Sequence, residues 1–251
     1  MPQETNAKVV CMLSGGPDST AMIWKYLTET GHKVHIHHVI LDTNDVIRHQ
    51  REWVAVQEIL RWLRDPANGL KHNHGNTILD RLEGFTFSRL EFKGYDPPPD
   101  HFLYAMMGSM FFQSDYNPLR WDNHIRLFAT GRNAEDGTTT GRAAYLKARK
   151  LFETITDNRV KWLTPMEHYG KREIIQMMPK ELFDLTTSCS YPKKIDNEWQ
   201  DCNECIGCAR RIEGIYQAGV HSELPEWHKY IEDRTTNQIQ GYEEMVICGQ
   251  E

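Results

Sequence analysis

The stretch Lys8-Val-Val-Cys-Met-Leu13, followed at once by Ser14-Gly-Gly-Pro-Asp-Ser-Thr20, decides the fold of this 251-residue chain. Its first part is an apolar run that is typical of a buried strand, and the segment from Ser19 to Thr30 carries apolar residues at helical spacing. The two glycines between these parts allow the backbone to turn sharply. The stretch therefore predicts a strand, a tight loop and a helix, which form the first unit of a layered α/β fold.

Strand-like and helical patterns alternate along most of the remaining chain. This alternation is typical of a Rossmann-like parallel sheet with helices on both faces. Two stretches, 65–79 and 94–100, predict loops, because the second contains three consecutive prolines and the first has no regular pattern. Further strands are predicted at 35–41, 85–92, 125–130 and 160–163, and helices at 48–63, 102–112, 143–155, 171–178 and 209–218.

The composition is that of an ordinary globular chain. Hydrophobic residues make up 39% of it and charged residues 25%, which is enough for a full core. No run reaches the roughly 18 apolar residues of a membrane span, and the N-terminus lacks the basic and then apolar pattern of a signal peptide. We therefore expect a cytoplasmic protein without membrane contact. The net charge of −6 argues against strong nucleic-acid binding.

The loop after the first strand is a candidate phosphate-binding site. Gly15 and Gly16 allow a ligand to approach the backbone, and the hydroxyls of Ser14 and Ser19 add donors to the free N–H groups at the helix start. Asp18 would repel a phosphate unless a cation lay between them, so we assign it a magnesium-linked role. The pattern matches neither a Walker loop nor the dinucleotide fingerprint. The alternative is a strand-to-helix turn with a side-chain cap and no ligand.

Four of the six cysteines lie close together in the sequence and form the pattern C-x12-C-x2-C-x2-C. Thiolates at this spacing can converge on one metal ion, and a closed site of four cysteines favours structural zinc. An iron–sulfur cluster is the alternative, although it is more typical of C-x2-C-x2-C-x3-C-P. The predicted metal ligands are Cys189, Cys202, Cys205 and Cys208.

Two families share these motifs with the chain. Ser-Gly-Gly-x-Asp-Ser resembles the pyrophosphate loop (PP-loop) of the N-type ATP pyrophosphatases, whose fold is called adenine nucleotide alpha hydrolase-like. Together with the C-terminal cysteines it resembles the 7-cyano-7-deazaguanine synthase (QueC-like) family. Supporting segments, in chain order, are Arg48-His-Gln-Arg-Glu52, Gly131-Arg-Asn-Ala-Glu-Asp136, Lys171-Arg-Glu-Ile174, Ser188-Cys189 and Cys208-x-x-Arg211.

The resemblance implies a ligase that uses ATP and Mg²⁺. In this family the enzyme adenylates the carboxylate of 7-carboxy-7-deazaguanine, releases pyrophosphate and passes the acyl group to ammonia. The amide that forms is then converted to the nitrile. QueC-like proteins also occur in phage DNA modification and in bacterial defence systems, where a protein amine can accept the deazaguanine. Catalysis of this kind needs no protein nucleophile, since AMP is the leaving group.

The resemblance also assigns roles to individual residues. Asp18, Ser19 and Lys171 are the predicted catalytic residues. Asn133 and Asp136 follow a strand and are assigned to the deazaguanine or magnesium pocket. The alternative for Lys171, and for Arg48 and His49, is an ordinary solvated helix face. The predicted ATP and cofactor contacts are Ser14, Gly15, Gly16, Asp18, Ser19, Arg48, His49, Asn133 and Asp136.

We expect a PP-loop domain at 1–180, a zinc-binding helical subdomain at 181–219 and a tail of unassigned structure at 220–251. A homodimer is compatible with the sequence. The chain departs from the family at Asp45-Val-Ile47, Pro99-Asp-His-Phe102 and Gly137-Thr-Thr-Thr-Gly-Arg142, around the expected pockets. Two other functions therefore stay open, a tRNA sulfurtransferase of the same superfamily and a non-catalytic scaffold that binds nucleotide.

Overall fold

Five parallel strands form one sheet in the computed structural model of the protein, which describes residues 8–42, 46–68, 77–92, 100–113, 125–134 and 139–219. The strand order is β3-β2-β1-β4-β5. The five predicted strands are thereby confirmed, with ends that differ by a few residues. The strands are β1 (Lys8–Met12), β2 (Lys33–Asp42), β3 (Leu82–Glu91), β4 (Ile125–Ala129) and β5 (Lys161–Leu163).

The helices lie between and after these strands, at all the positions that the sequence predicts. The sequence did not predict α3, α7 or a small antiparallel hairpin, because these elements are too short to show a period. The hairpin consists of β6 (Lys193–Ile195) and β7 (Glu198–Gln200). The helices are α1 (Pro17–Glu29), α2 (Val46–Arg64), α3 (Ile78–Arg81), α4 (Asp100–Gln113), α5 (Thr139–Ile155), α6 (Lys171–Met177), α7 (Lys180–Asp184) and α8 (Ile206–Ala218).

Successive side chains of β1 point to opposite faces of the sheet and enter two different cores. Val9 and Cys11 pack with apolar residues of α1, α2, α6 and α7. Val10 and Met12 pack with residues of α4 and α5 on the other face. The predicted cover of helices on both faces is confirmed. This arrangement explains why β1 reads as a continuous apolar run.

The core beside α5 is aromatic and fixes the end of β4. Trp162 meets the rings of Phe128 and Phe152 edge-on, at centroid distances of 5.2 and 5.3 Å. Its indole N–H donates to Thr130 Oγ1 at 3.0 Å. Thr130 directly follows β4, so the aromatic cluster holds the backbone at the point where the chain leaves the sheet.

The order of the strands places a crevice beside β1. β1 and β4 are parallel neighbours, with Val10 opposite Phe128. The chain leaves β1 towards α1 on one face, and α5, which follows β4, covers the other face. Ligands bind in open α/β sheets at the carboxyl ends of two strands that diverge in this way. The phosphate loop lies at this crevice because it directly follows β1.

Some predictions fall outside the described residues. These are Asp136, the tail 220–251 and most of the two predicted loops. Within the first predicted loop, for which the sequence predicts no regular structure, Pro66–Asn68 forms one turn of 3-10 helix and Ile78 begins α3. Among the helices in the described ranges, none is both long and apolar enough to cross a membrane.

Candidate active site

The phosphate loop is held in shape by its own hydroxyl groups. Ser19 Oγ donates to the carbonyl oxygen of Gly16 at 3.1 Å and accepts from the backbone N–H of Ser14 at 3.2 Å. Thr20 Oγ1 donates to the same Gly16 oxygen at 2.8 Å. Gly16 is the N-cap of α1, and none of the described side chains caps that helix. The first N–H groups of α1 therefore form an N-terminus that favours an anion.

Two glycines let neighbouring backbones approach this loop. Gly15 has a φ of +86°, and a Cβ there would lie 2.9 Å from the carbonyl oxygen of Glu52. Gly131 follows β4, and a Cβ there would lie 2.6 Å from the backbone nitrogen of Ser19. The loop after β4 thus lies directly against the start of α1. Any side chain at Gly131 would push apart the two walls of the crevice.

Asp18 and Lys171 form an ion pair beside the loop. The Lys171 ammonium donates to both carboxylate oxygens of Asp18, at 2.6 and 2.5 Å. Their side chains are only 22% and 13% exposed. The residues are 153 positions apart in sequence, and the start of α6 brings Lys171 to the first turn of α1. The structure therefore joins two residues to which the sequence gave separate roles, one with magnesium and one with phosphate.

Two cavities adjoin the phosphate loop. The first has a volume of about 440 Å³ and extends towards β4 and the aromatic core. The second has a volume of about 260 Å³ and extends towards β2 and Cys189. The two cavities meet at five residues that line both, namely Ser14, Gly16, Asp18, Tyr104 and Arg210. Ligands bound in the two cavities would therefore touch at the loop.

Of the two predicted contacts on α2, one lines the second cavity. Arg48 lines it and donates to Glu52 at 2.9 Å. His49 is not among the residues that line either cavity, but its Nδ1 lies 3.4 Å from Glu52, which lines the second. Burial raises the pKa of Glu52, but His49 and Arg48 more than offset this and hold it below its ordinary value. Glu52 is therefore an anion at neutral pH.

Asn133 is buried, with 2% of its surface exposed, just after β4. It is not among the residues that line the two cavities, whereas the preceding Gly131 and Arg132 line the first. Arg132 lies over the ring of Tyr145, 4.4 Å from its centroid. The structure thus places Gly131 and Arg132 at the first cavity, while the role of Asn133 stays a prediction.

Two adjacent arginines of α8 lie in different surroundings. Arg211, which belongs to the quoted cysteine motif, donates to Thr186 Oγ1 at 2.7 Å and to the carbonyl oxygen of Phe183 at 3.2 Å. Its guanidinium also stacks over the Phe183 ring at 4.1 Å. Arg211 therefore joins α8 to the end of α7. Arg210 instead lines both cavities, and no motif marked it.

Sequence reasoning also missed several other residues that line the cavities. Tyr104 and Tyr145 lie on helices whose periodicity predicts only core positions. His38 lies on β2, where Nδ1 is 2.7 Å from the carbonyl oxygen of Leu13 and the ring stacks on Trp53. Burial lowers the pKa of His38. Only the sheet order, which the sequence does not give, brings these side chains to the loop.

The four predicted metal ligands meet in space. The Sγ atoms of Cys189, Cys202, Cys205 and Cys208 all lie within 4.8 Å of one another. Backbone N–H groups donate to these sulfurs, including that of Ser190 to Cys205 at 3.2 Å. A cluster of four thiols with amide donors is suited to a metal ion. The residues present therefore fit the group that the sequence predicts.

The surroundings of the clustered cysteines give their thiols different pKa values. Burial raises the pKa of Cys205, but N–H donors from Ser190 and Cys208 outweigh it and lower the pKa to about 6. Burial raises the pKa of Cys189 to about 11 and raises that of Cys208 as well. Cys205 is also the N-cap of α8, and its sulfur accepts from the Cys208 N–H at 3.4 Å. The first thiolate of the cluster is thus expected at the start of α8.

Backbone contacts connect the cysteine cluster to the phosphate loop. The N–H of Thr187 donates to the carbonyl oxygen of Gly15 at 2.9 Å. A Cβ at Gly207 would lie 1.9 Å from the carbonyl oxygen of Ser188, so α8 lies directly on this segment. Cys189 itself lines the second cavity. The cluster therefore forms part of the wall of the site.

Comparison with known proteins gives one partial relative. The chain is 31% identical over 101 residues to a 7-cyano-7-deazaguanine synthase from Methanococcus aeolicus. This match covers 36% of the chain and 42% of that protein, so it spans less than half of the relative. It confirms the resemblance that the motifs indicate. No protein-family model matches the chain.

A solved structure, the U34-tRNA thiolase NcsA from Methanococcus maripaludis with its [4Fe-4S] cluster, aligns with 15% identity and a TM-score of 0.42. The alignment covers 96% of this chain and 73% of that one.

Proposed function

We propose that the protein uses ATP to adenylate the carboxylate of 7-carboxy-7-deazaguanine, releases pyrophosphate and transfers the acyl group to an amine. The observation that carries this proposal is the arrangement at the crevice between β1 and β4, where a phosphate loop, an Asp–Lys pair and two adjoining cavities meet. The similarity to a 7-cyano-7-deazaguanine synthase supports the identity of the acid.

The residues around the loop suit the leaving of pyrophosphate. N–H groups at the start of α1 and the hydroxyl of Ser14 would donate to phosphate oxygens, and the Ser19 hydroxyl would do so by turning from the carbonyl oxygen of Gly16. Lys171 exchanges one anion for another when it turns from Asp18 to a phosphate, so its charge stays paired. Asp18 would then be able to hold Mg²⁺, and the ion would neutralise charge on the phosphates. The pairing of Asp18 with Lys171 is thus compatible with the role of Asp18 in binding magnesium and with that of Lys171 in binding phosphate.

The metal that we propose for the cysteine cluster is zinc, in a structural role. Four sulfurs bound to one zinc at about 2.3 Å lie about 3.8 Å apart in a tetrahedron. The Cys202 and Cys208 sulfurs lie 4.0 Å apart, and all four are within 4.8 Å of one another. An iron–sulfur cluster places several atoms between its cysteine sulfurs and needs wider spacing. Metal analysis of the purified protein distinguishes the two, with one zinc per chain expected.

Ammonia is the acceptor in our proposal, and the first product is the 7-amide. Mass spectrometry of the products separates this amide from the nitrile and from a conjugate with a protein amine. Appearance of the conjugate in place of the amide would show that the acceptor is a protein.

The adenylation step is tested by pyrophosphate release from ATP, Mg²⁺ and the acid. The wild-type chain is expected to release pyrophosphate only when the acid is present. Lys171→Met should lower the rate about 100-fold, because it removes a charged donor beside the leaving group. Lys180→Met is the matched control, since Lys180 is about half exposed and pairs with Asp184 at 2.6 Å.

The comparison of Lys171→Met with Lys180→Met also shows whether a loss of activity comes from a general loss of stability. Pyrophosphate release that does not depend on the acid, or no release from the wild-type chain with ammonia and with candidate protein amines, would overturn the proposal. Equal rates from the wild-type chain and Lys171→Met would remove Lys171 from the proposed mechanism.

A further inference from the structure

Arg210 occupies an unusual position in the site. It lies on α8, two residues after Cys208, and is one of the five residues that line both cavities. Among those five it is the only one with a cationic side chain. Asp18, which also lines both cavities, carries the opposite charge. A guanidinium group therefore lies at the point where two bound ligands would meet.

The other cations that line the cavities have contacts within the protein. Lys171 pairs with Asp18 at 2.5 Å, and Arg48 pairs with Glu52 at 2.9 Å. Arg132 stacks over Tyr145. Arg210 forms no ion pair or hydrogen bond with any residue in the described parts of the chain. Arg210 is half-buried, and the two carboxylates that line the cavities pair with other cations, Asp18 with Lys171 and Glu52 with Arg48.

We infer that Arg210 is a catalytic residue that binds the carboxylate of the acid and the α-phosphate of ATP at the same time. This inference rests on the proposed function and adds the group that brings its two anionic reactants together. A guanidinium suits the task because it is planar and presents five N–H donors, enough for two oxygens on each side. Lysine at this position would offer a single point of charge.

The reaction explains why a shared cation is needed. A carboxylate oxygen forms a bond to the α-phosphorus, and the bond from that phosphorus to the bridging oxygen breaks. Pyrophosphate leaves with the electron pair, so no oxidant or proton donor is required. Both reactants are anions and repel each other. Arg210 would offset this repulsion by hydrogen bonds alone, without exchanging a proton.

The test compares Arg210→Gln and Arg210→Lys with the wild-type chain. Arg159→Gln is the matched control, because it removes the same charge from an exposed pair with Asp157. Binding of the acid and of its uncharged 7-amide is measured by calorimetry, with α,β-methylene ATP present. Pyrophosphate release gives kcat and KM for the acid. Added guanidinium ion is tested for rescue of Arg210→Ala.

We expect Arg210→Gln to lower kcat/KM for the acid about 100-fold, the effect of losing one donor aimed at developing charge. Binding of the acid should weaken about tenfold, as for loss of a charge-assisted pair, while binding of the amide stays within about threefold. Arg210→Lys should keep part of the acid binding, and guanidinium should restore part of the rate of Arg210→Ala. Arg159→Gln should match the wild-type chain.

The outcomes separate this inference from the proposed function. If the wild-type chain neither binds the acid nor releases pyrophosphate, both are overturned. If the wild-type chain is active and Arg210→Gln equals it, this inference alone is overturned. Equal losses of acid and amide binding in Arg210→Gln would also overturn it, since they would show that Arg210 only shapes the cavity.

Discussion

At the scale of single residues, the adjacent side chains of Arg210 and Arg211 on α8 have different roles. Arg211 is buried against α7, where a hydroxyl and a carbonyl oxygen accept its N–H groups. Burial lowers its pKa, although nearby carboxylates partly offset this. Arg210 faces the two cavities instead. The first residue therefore serves stability and the second serves ligands.

This difference predicts opposite results for the two matched substitutions. Arg211→Gln leaves the hydroxyl of Thr186 and the carbonyl oxygen of Phe183 without their charged donor. It should lower the free energy of unfolding by about 2–4 kcal/mol, whereas Arg210→Gln should change it by less than about 0.5 kcal/mol. Urea unfolding followed by circular dichroism measures both. A stable Arg211→Gln variant would contradict the role of Arg211 as the link between α7 and α8.

Gly131 gives a second prediction at this scale. A Cβ there would lie 2.6 Å from the backbone of Ser19, so Gly131→Ala must displace either the loop after β4 or the start of α1. Binding of α,β-methylene ATP should weaken at least about tenfold, because the phosphate donors lose their alignment. Gly219→Ala is the control, since a Cβ there would meet none of the described residues within 4 Å, although Gly219, unlike Gly131, has a positive φ.

Gly219→Ala is expected to cost stability and leave nucleotide binding unchanged. If the two alanine variants bind the nucleotide equally well, the close approach at Gly131 has no part in shaping the site.

At the scale of elements, the cysteine cluster organises the wall of the second cavity. Cys205 begins α8, and the segment that carries Cys189 also carries Thr187, whose N–H donates to Gly15. Loss of the zinc that we propose for the cluster should therefore loosen the phosphate loop as well as α8. This coupling runs through backbone contacts and needs no movement of the sheet.

Removal of the proposed zinc tests this coupling. Treatment with a chelator should lower the melting temperature and also weaken binding of α,β-methylene ATP, because the loop loses its contact with Thr187. Restored binding after zinc is added back serves as the control for irreversible damage. Unchanged nucleotide binding in a chelated, metal-free and still folded protein would show that the cluster and the loop are independent.

The sequence predicted the regular elements well and the site only in part. Apolar periodicity located all five strands of the sheet and the longer helices, because burial on one or both faces leaves a pattern in the sequence. The short α7 and the hairpin of β6 and β7 leave no such pattern. The hairpin depends on Asp196 and Asn197, whose φ values are positive, and these residues are compatible with many loops.

Some residues of the candidate site could likewise be predicted from the sequence, and others could not. The phosphate loop and the cysteines are local motifs, so their members could be named without a structure. Lys171 was found by resemblance, but its pairing with Asp18 depends on the packing of α6 against α1. Arg210 and Tyr104 reach the cavities through the positions of α8 and α4 alone. Contacts of this kind between distant elements have no signature in a single sequence.

At the scale of the whole molecule, buried histidines make stability depend on pH. Burial lowers the pKa values of both His35 and His37 to about 4. Both rings share the hydroxyl of Thr86, at 3.0 and 2.8 Å. Below the unfolded pKa of 6.5 the unfolded chain takes up protons that the folded chain does not. Stability should therefore fall as the pH decreases from 6.5 towards 4.

Each of these histidines contributes a slope of up to about 1.4 kcal/mol per pH unit in that range. The double variant His35→Gln and His37→Asn keeps a nitrogen or oxygen near each bonded position and removes both titrating rings. The free energy of unfolding should then change less between about pH 7 and about pH 5 than in the wild-type chain. His168→Asn is the control, because His168 is highly exposed. An unchanged pH dependence in the double variant would contradict this explanation.

The central claim is that the carboxylate of the acid attacks the α-phosphorus of ATP in the crevice between β1 and β4. The most direct measurement supplies 7-carboxy-7-deazaguanine labelled with ¹⁸O in its carboxylate, together with ATP, Mg²⁺ and ammonia, and determines the mass of the AMP formed. We expect AMP that carries one ¹⁸O atom, because the attacking oxygen leaves with the phosphate when the amine displaces it. Unlabelled AMP, or ADP and phosphate in its place, would contradict the claim.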